Sequence, residues 1–410
     1  MRIVIIEPDG TGGMIHFAYM LARALTTLGA QVTLITAVDY ELSDLPHEFE
    51  VRTELVFWRR VESSRSDPDH EDGSWLGRLR RHVIRRAWRA VRLTIEMWRV
   101  VALVGKTRPD VLLIRPFPLP GRRLILARLK ASGTTLIEVT HEFEPREAVN
   151  PVVARIERAL SGNGSSLIDL RLFLASSVRD RYALLYPRVP RSRMLVIPHG
   201  DGELFELLAR GGADLAERFR IEADDRVVLF FGNLRPSKGI VDLLEGFARA
   251  NRPPDAKLLV VGYPGRDVDV GSLFELTRKL QIVDSVRFDI GYLPNELVGP
   301  LFRLARFVVL PYRNATQSGP LHVAITFGKP VLATRTGGMV DVIEDGVTGL
   351  LVEPGDAGAL SAGLERMLWD DELMARMEGA VSRYRARFRW SEVAARVLES
   401  TEAVRAERSP

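Results

Sequence analysis

Short apolar runs, many rich in β-branched residues, alternate along the chain with segments whose apolar positions recur every three or four residues. In the first half the runs are RIVIIE (2–7), QVTLIT (31–36), DVLLIR (110–115), TLIEVT (135–140), LFLAS (172–176) and RMLVIP (193–198). In the second half they are RVVLFFG (226–232), KLLVVG (257–262), VRFDIG (286–291), FVVLPY (307–312), KPVLAT (329–334) and TGLLVEP (348–354). Strands that are apolar on both faces need helices covering each side of a parallel sheet. Two such series predict an α/β chain of two doubly wound, Rossmann-like domains, not one very wide sheet. Residues 201–225 contain no strand pattern, which places the boundary there: 1–205 for the first domain and 206–385 for the second.

Composition narrows the class. The 410 residues are 46% hydrophobic and 27% charged, proportions that exclude low-complexity and collagen-like chains. There is no cysteine, so disulfides, thiolate metal sites and cysteine nucleophiles are excluded. The longest charge-free stretch, Asn314 to Gly328, is too short and too polar for a membrane span. The opening MRIVIIEPDG reads as a strand, not a signal peptide, and a cytoplasmic protein is expected. The net charge of +4 is unevenly spread: residues 1–200 hold 30 basic against 22 acidic side chains, giving +8, and the remainder hold 27 against 31, giving −4. The positive half implies an anionic partner for that half.

Ligands of parallel sheets bind beyond the carboxyl ends of the strands, and five loops there carry candidate chemistry. Asp9-Gly10-Thr11-Gly12-Gly13 joins the first strand to a helix; its glycines would admit a phosphate-bearing ligand at the helix start, and a tight turn would use the same residues. Gly232 to Gly239 (GNLRPSKG) sets Arg235 and Lys238 three positions apart, braced by proline and glycine, as a fork and a point charge for a diphosphate. Gln317-Ser318-Gly319-Pro320 opens a helix that stops at Gly328, with Ser318 or Gly319 as cap and Pro320 in the first turn. His141 follows the strand TLIEV, where it either contacts a sugar hydroxyl or serves as a structural hydrogen-bonder. Gly337-Gly338 with Asp341 opens a further helix. His199 reads as structural. Asp267-Val268-Asp269 has metal-motif spacing but lies in a loop with no strand ending on it, so no metal site is expected.

From 76 to 102 an amphipathic helix is predicted. Arg78, Arg81, Arg85, Arg89, Arg92 and Arg99 form one stripe, and Leu76, Leu79, Val83, Ala87, Val91, Ile95, Trp98 and Ala102 form the other. Between 78 and 99 there are eight arginines and one glutamate, more than a sheet-covering helix needs. An anionic membrane surface is the expected partner of this face. Nucleic acid is not expected, because no reader module and no second basic surface accompany it.

Taken together, these motifs resemble the GT-B glycosyltransferases, specifically the large retaining family 4. The resemblance rests on the N-terminal Gly-Gly loop, the histidine after a mid-domain strand, IPHG before the hinge, FFGNLRPSKGI, the GYLP…LFRLARFVVLPY run, GKPVLAT, and GG-x-x-D-x-I-x-D-G-x-T-G-L-L-V. It implies two domains facing across a cleft, with residues 386–410, from Phe388-Arg-Trp390 onward, as a terminal helix returning to the first domain. It implies a nucleotide-diphosphate sugar as donor substrate and no separate cofactor. Arg235 and Lys238 would hold the diphosphate, Gly12 and Gly13 would close over it, and His141 would contact the transferred sugar. Gln317, Ser318, Gly319 and Pro320 would meet sugar and phosphate, and Tyr292-Leu293 would lie beside the base. The family's two glutamates, eight positions apart, are here Ala315 and Val323, which leaves the ribose partner unassigned.

The expected function is therefore retaining transfer of a sugar to a hydroxyl acceptor, a lipid-linked or cell-envelope glycan, at the inner face of the plasma membrane. Three other readings share parts of the pattern: a non-hydrolysing nucleotide-sugar epimerase, an inactive GT-B scaffold that binds nucleotide sugar or glycan, and a nucleic-acid binder using the arginine helix.

Overall fold

The computed structural model describes residues 1–56, 91, 92, 94–116, 121–141, 159, 164–212, 214–265 and 267–407. They form two compact units. One comprises Met1–Phe173, Arg179–Ile197 and Trp390–Pro410; the other comprises Leu174–Val178 and Pro198–Arg389. Residues 198–205, grouped with the first domain on sequence, cluster with the second unit, as do 386–389 ahead of the terminal helix.

The first unit holds β1 (Arg2–Glu7), β2 (Gln31–Ala37), β3 (Glu50–Leu55), β4 (Val111–Ile114), β5 (Thr135–Thr140), β6 (Leu170–Phe173) and β7 (Met194–Val196). They lie in one parallel sheet in the order β3-β2-β1-β4-β5-β6-β7. Ile3 to Ile6 are all buried, as suits a central strand covered on both faces. β3 escaped the pattern because it is an edge strand: of EVRTEL only Leu55 is buried. β6 begins two residues before the LFLAS run. Its start is masked by Arg171, which pairs in register with Glu138 of β5 inside the core. Arg122 shares that carboxylate and both guanidiniums are fully buried, an ion cluster that requires its partners to stay in place.

Residues 94–107 are helical, and their inner face differs from the expected stripe. Met97, Val100 and Val104 pack with Leu55, Leu112 and Ile114, while Val91 and Ile95 are about half exposed, at 49% and 48%. Glu96 turns inward because its carboxylate accepts the Val56 amide. Val91, Ile95 and Ala102 of the expected apolar side thus face outward with exposed Arg92 and Arg99, while Trp98 is partly buried against the core. Arg78, Arg81, Arg85 and Arg89 lie outside the described residues. The terminal helix Trp390–Ala406 packs on Gly13–Thr27. Trp390 meets Phe17 edge-on at 5.2 Å between ring centroids, and Arg405 donates to the Asp110 carbonyl at 2.9 Å.

The second unit holds β8 (Arg226–Phe231), β9 (Ala256–Gly262), β10 (Val286–Ile290), β11 (Phe307–Leu310), β12 (Val331–Thr334) and β13 (Gly349–Val352). These also form a parallel sheet, ordered β10-β9-β8-β11-β12-β13. Val228 to Phe230 and Phe307 to Leu310 are fully buried. The segment 201–225 folds as two short helices, Glu203–Leu208 and Leu215–Phe219, whose Leu204, Leu215 and Phe219 are buried.

Candidate functional site

Each sheet reverses its strand order once beside its first strand, and that reversal opens a crevice at the strands' carboxyl ends. In the second unit it lies between β8 and β11, so the loops 232–239 and 311–320 flank it. Several contacts lock the two loops together. The Arg313 amide donates to the Ser237 carbonyl at 2.8 Å. Arg313 also grips Asp242 with two hydrogen bonds of 2.7 and 2.6 Å. Gly239 has φ +67, and a Cβ there would come within 1.9 Å of the Pro311 carbonyl oxygen, so only glycine allows this closeness.

Arg235 and Lys238 bracket the single 3-10 turn Pro236–Lys238 that follows β8. The Lys238 ammonium sits 3.5 Å from the Tyr312 ring centroid, a cation–π seat that fixes the charge at the crevice. The Tyr312 hydroxyl lies 3.2 Å from Ser318 Oγ, and that oxygen caps the helix Gly319–Thr326 by accepting the Leu321 amide at 3.3 Å. The structure thus brings Lys238, Tyr312 and Ser318 together, with Pro320 in the helix's first turn. The Gln317 side-chain oxygen Oε1 is buried with no hydrogen-bond partner. Such an orphaned acceptor is costly unless a ligand supplies a donor.

The turn Gly337-Gly338 supports this loop from behind. The Gly338 amide donates to the Thr316 carbonyl at 2.9 Å, and a Cβ on Gly337 (φ +51) would stand 1.7 Å from the Ala315 carbonyl oxygen. Asp341 accepts from the Ser176 amide and hydroxyl, both at 2.6 Å. Of the pair assigned to the base, Tyr292 is exposed at 66% and Leu293 is in the core at 6%, so the Leu293 side chain is taken up by packing. Val323 is buried against Gly202. Asp269 caps the helix Val270–Lys279 through the Gly271 amide, which gives the Asp-x-Asp spacing a structural use.

In the first unit the reversal lies between β1 and β4. Glu7 ends β1, and Arg115 directly follows β4. Arg115 Nη1 donates to Glu7 and to Asp9, each at 2.7 Å. Burial pushes the Glu7 carboxyl up to about 7 despite the guanidinium beside it. The Gly12 amide donates to the Glu41 carboxylate at 2.5 Å, and His16 Nε2 meets the same oxygen at 2.6 Å. The helix start that sequence assigned to a ligand phosphate therefore already holds a side-chain anion at Gly12, whereas Gly13 faces open space. His141 is buried, edge-on to Phe17 at 4.8 Å. Glu7, Arg115 and Glu41 are the residues that sequence reasoning passed over.

His199 stacks on His322 at 4.8 Å with planes 23° apart. Burial lowers His199 to about 4 against the opposing hydrogen bond to the Gly200 carbonyl, and burial together with the neighbouring His199 lowers His322 well below its usual value.

Two parallel, doubly wound sheets of this order are the fold of the GT-B glycosyltransferases. Residues 213–382, most of the second unit, match the family described as glycosyl transferases group 1. The chain is 33% identical to the D-inositol 3-phosphate glycosyltransferase of Corynebacterium diphtheriae over 220 residues, 52% of this chain and 51% of the relative. It is 29% identical to the N-acetyl-alpha-D-glucosaminyl L-malate synthase of Bacillus anthracis over 168 residues, 41% and 42% of the two chains. The chain spans about half the length of the first of these relatives. Across nearly its whole length it shares its fold with Anabaena HepE solved with UDP-glucose, at TM-score 0.69 and 18% identity, covering 98% of this chain and 100% of that one. No helix among the described residues is long and apolar enough to cross a membrane.

Proposed function

We propose that the protein is a retaining glycosyltransferase that moves a sugar from a nucleotide-diphosphate donor, held by the second unit, to an acceptor hydroxyl presented by the first. The observation that carries this reading is the β8–β11 crevice, where the ring-seated Lys238 and the Ser318-capped helix start meet inside the segment that matches the glycosyl transferase family; Arg235 lies three residues from Lys238 on the same loop, with its side chain beside Gly265. As the anomeric carbon–oxygen bond lengthens, negative charge grows on the diphosphate. Arg235 and Lys238 neutralise it, and the positive end of the helix Gly319–Thr326 adds to their field. The acceptor oxygen bonds to the anomeric carbon on the face the diphosphate leaves, and its proton passes to the departing phosphate. The orphaned Gln317 oxygen accepts from a donor-sugar hydroxyl. His141 contacts the transferred sugar.

HepE's complex with UDP-glucose makes UDP-sugars the first donors to try. Calorimetric titration with UDP-, GDP- and dTDP-sugars should reveal binding by one nucleotide class, and Arg235→Ala should weaken it. If none binds, or if the variant binds as well as the parent, the transferase reading fails.

The reading includes an acceptor at an anionic membrane, supported by Arg92 and Arg99 beside exposed Val91 and Ile95 on one helix face. Sedimentation with phosphatidylglycerol vesicles at physiological salt should retain the protein. Equal recovery with uncharged vesicles, or stronger binding to DNA, would remove this part of the proposal.

A further inference from the structure

Two consecutive residues of the loop after β11 act on the loop after β8. Tyr312 is fully buried, and a phenol in the core needs a partner for its hydroxyl. The hydroxyl meets Ser318 Oγ at 3.2 Å, and the Tyr312 carbonyl accepts from the Thr334 hydroxyl. The ring is therefore fixed at both ends. It presents a face to the half-buried Lys238, whose ammonium lies 3.5 Å from the centroid. Lysine is a flexible side chain, so ordering it in advance spares an incoming anion that cost. A carboxylate could also order it, but would cancel its charge. The face of a ring attracts an ammonium without neutralising it.

Arg313, the next residue, acts on a carboxylate. Asp242 stands four positions after Lys238, in the first turn of the helix Ile240–Arg249. It is buried, and its Oδ2 lies 3.3 Å from where a Cβ on Gly239 would be. Both of its oxygens accept from Arg313, at 2.7 and 2.6 Å. A bidentate guanidinium is the strongest hold a side chain offers a carboxylate. We propose that Tyr312 and Arg313 are positioning residues for Lys238: the ring seats the ammonium before the donor arrives, and the guanidinium keeps the Asp242 carboxylate off it. The inference rests on the reading of the second unit as the donor side and adds to it what sets the lysine's place and charge.

The six lysines allow the seat to be read without any reaction. Dimethylation with ¹³C-formaldehyde leaves each amine charged and makes it visible by NMR. In the donor-free chain one methyl signal should be shifted upfield by the Tyr312 ring. It should vanish in Lys238→Ala, rejoin the others in Tyr312→Leu and persist in Tyr312→Phe. Release of nucleoside diphosphate by unmethylated protein should slow roughly ten- to thirtyfold in Tyr312→Leu. Tyr312→Phe, which loses only the hydroxyl contact, should cost no more than about fivefold. Added to Lys238→Ala, Tyr312→Leu should cost little more, because the group it acts through is gone. Arg313→Met should also slow release, and adding Asp242→Asn should recover it. No upfield signal in the parent, an equal cost of Tyr312→Leu with and without Lys238→Ala, or no recovery by Asp242→Asn would overturn the proposal. If circular dichroism shows Tyr312→Leu unfolded, the Arg313 pair of variants, at a side chain 55% exposed, carries the test. A parent that shows the upfield signal yet binds no nucleotide sugar would sink the transferase reading and leave the seat standing. An active parent with an equally active Tyr312→Leu would do the reverse.

Discussion

The two units share one topology and differ in the chemistry at its reversal point. β1 and β4 in the first unit correspond in sheet position to β8 and β11 in the second. At the first pair the strand ends carry Glu7 and Arg115, with Asp9 and Glu41 close by, and a carboxylate occupies the glycine-loop amide. At the second pair the loops carry Arg235 and Lys238. The carboxylate that starts the next helix, Asp242, is held by both arms of Arg313. Sheet order thus decides where a ligand can sit, and a few residues at the strand ends and in the loops that follow decide its charge. In the proposed reaction the basic crevice suits a leaving group that gains negative charge.

Removing the ammonium at the basic crevice should break the comparison most severely. Lys238→Ala takes away a preorganised charge that acts where the diphosphate gains its own, and transferase rate should fall by roughly 10²–10³-fold. Lys238→Arg should restore only part of the rate, since a planar guanidinium does not occupy the point above the Tyr312 ring in the same way. An unchanged rate in Lys238→Ala, measured by release of the nucleoside diphosphate, would mean that the charge seated on Tyr312 is not part of the donor grip.

Much of the architecture could be read from the chain because buried parallel strands announce themselves as unbroken apolar runs. Eleven of the twelve runs fall squarely on strands of the two sheets, and LFLAS overlaps β6 only at Leu172 and Phe173. Polar or charged residues hid the rest. β3 is an edge strand with one buried side chain, and Arg171 is neutralised within the sheet by a partner 33 positions away. The helix at 94–107 was turned about its axis because Glu96, the acid that breaks its basic run, is the buried residue. Part of the second crevice was legible in GNLRPSKG and TQSGP, whose turn and capping residues have local uses. The seat of Lys238 on Tyr312 was not, because it depends on two residues 74 positions apart in the chain coming side by side. Glu7 and Arg115 each look like the polar end of an apolar run, and only the sheet order makes them neighbours.

Stability against pH should sharpen the contrast between the units. Glu7 is raised from 4.5 to about 7 in the fold, so the folded state holds an extra proton in that interval. Its stabilising contribution is complete below about 4.5 and is lost as pH rises through 7. His199 is lowered from 6.5 to about 4; its contribution is complete above 6.5 and is lost as pH falls towards 4. Glu7 therefore costs stability on the alkaline side, and the histidine pair costs it on the acid side. Glu7→Gln replaces the ionisable group by one that stays neutral and should stabilise the fold by up to about 3 kcal/mol at pH 8, with little change at pH 4.5. Urea unfolding of both proteins at the two pH values reads this directly. A gain of equal size at both would show that Glu7 is not titrating in this window. A gain confined to pH 8 would mark Glu7 as a residue kept at the expense of stability.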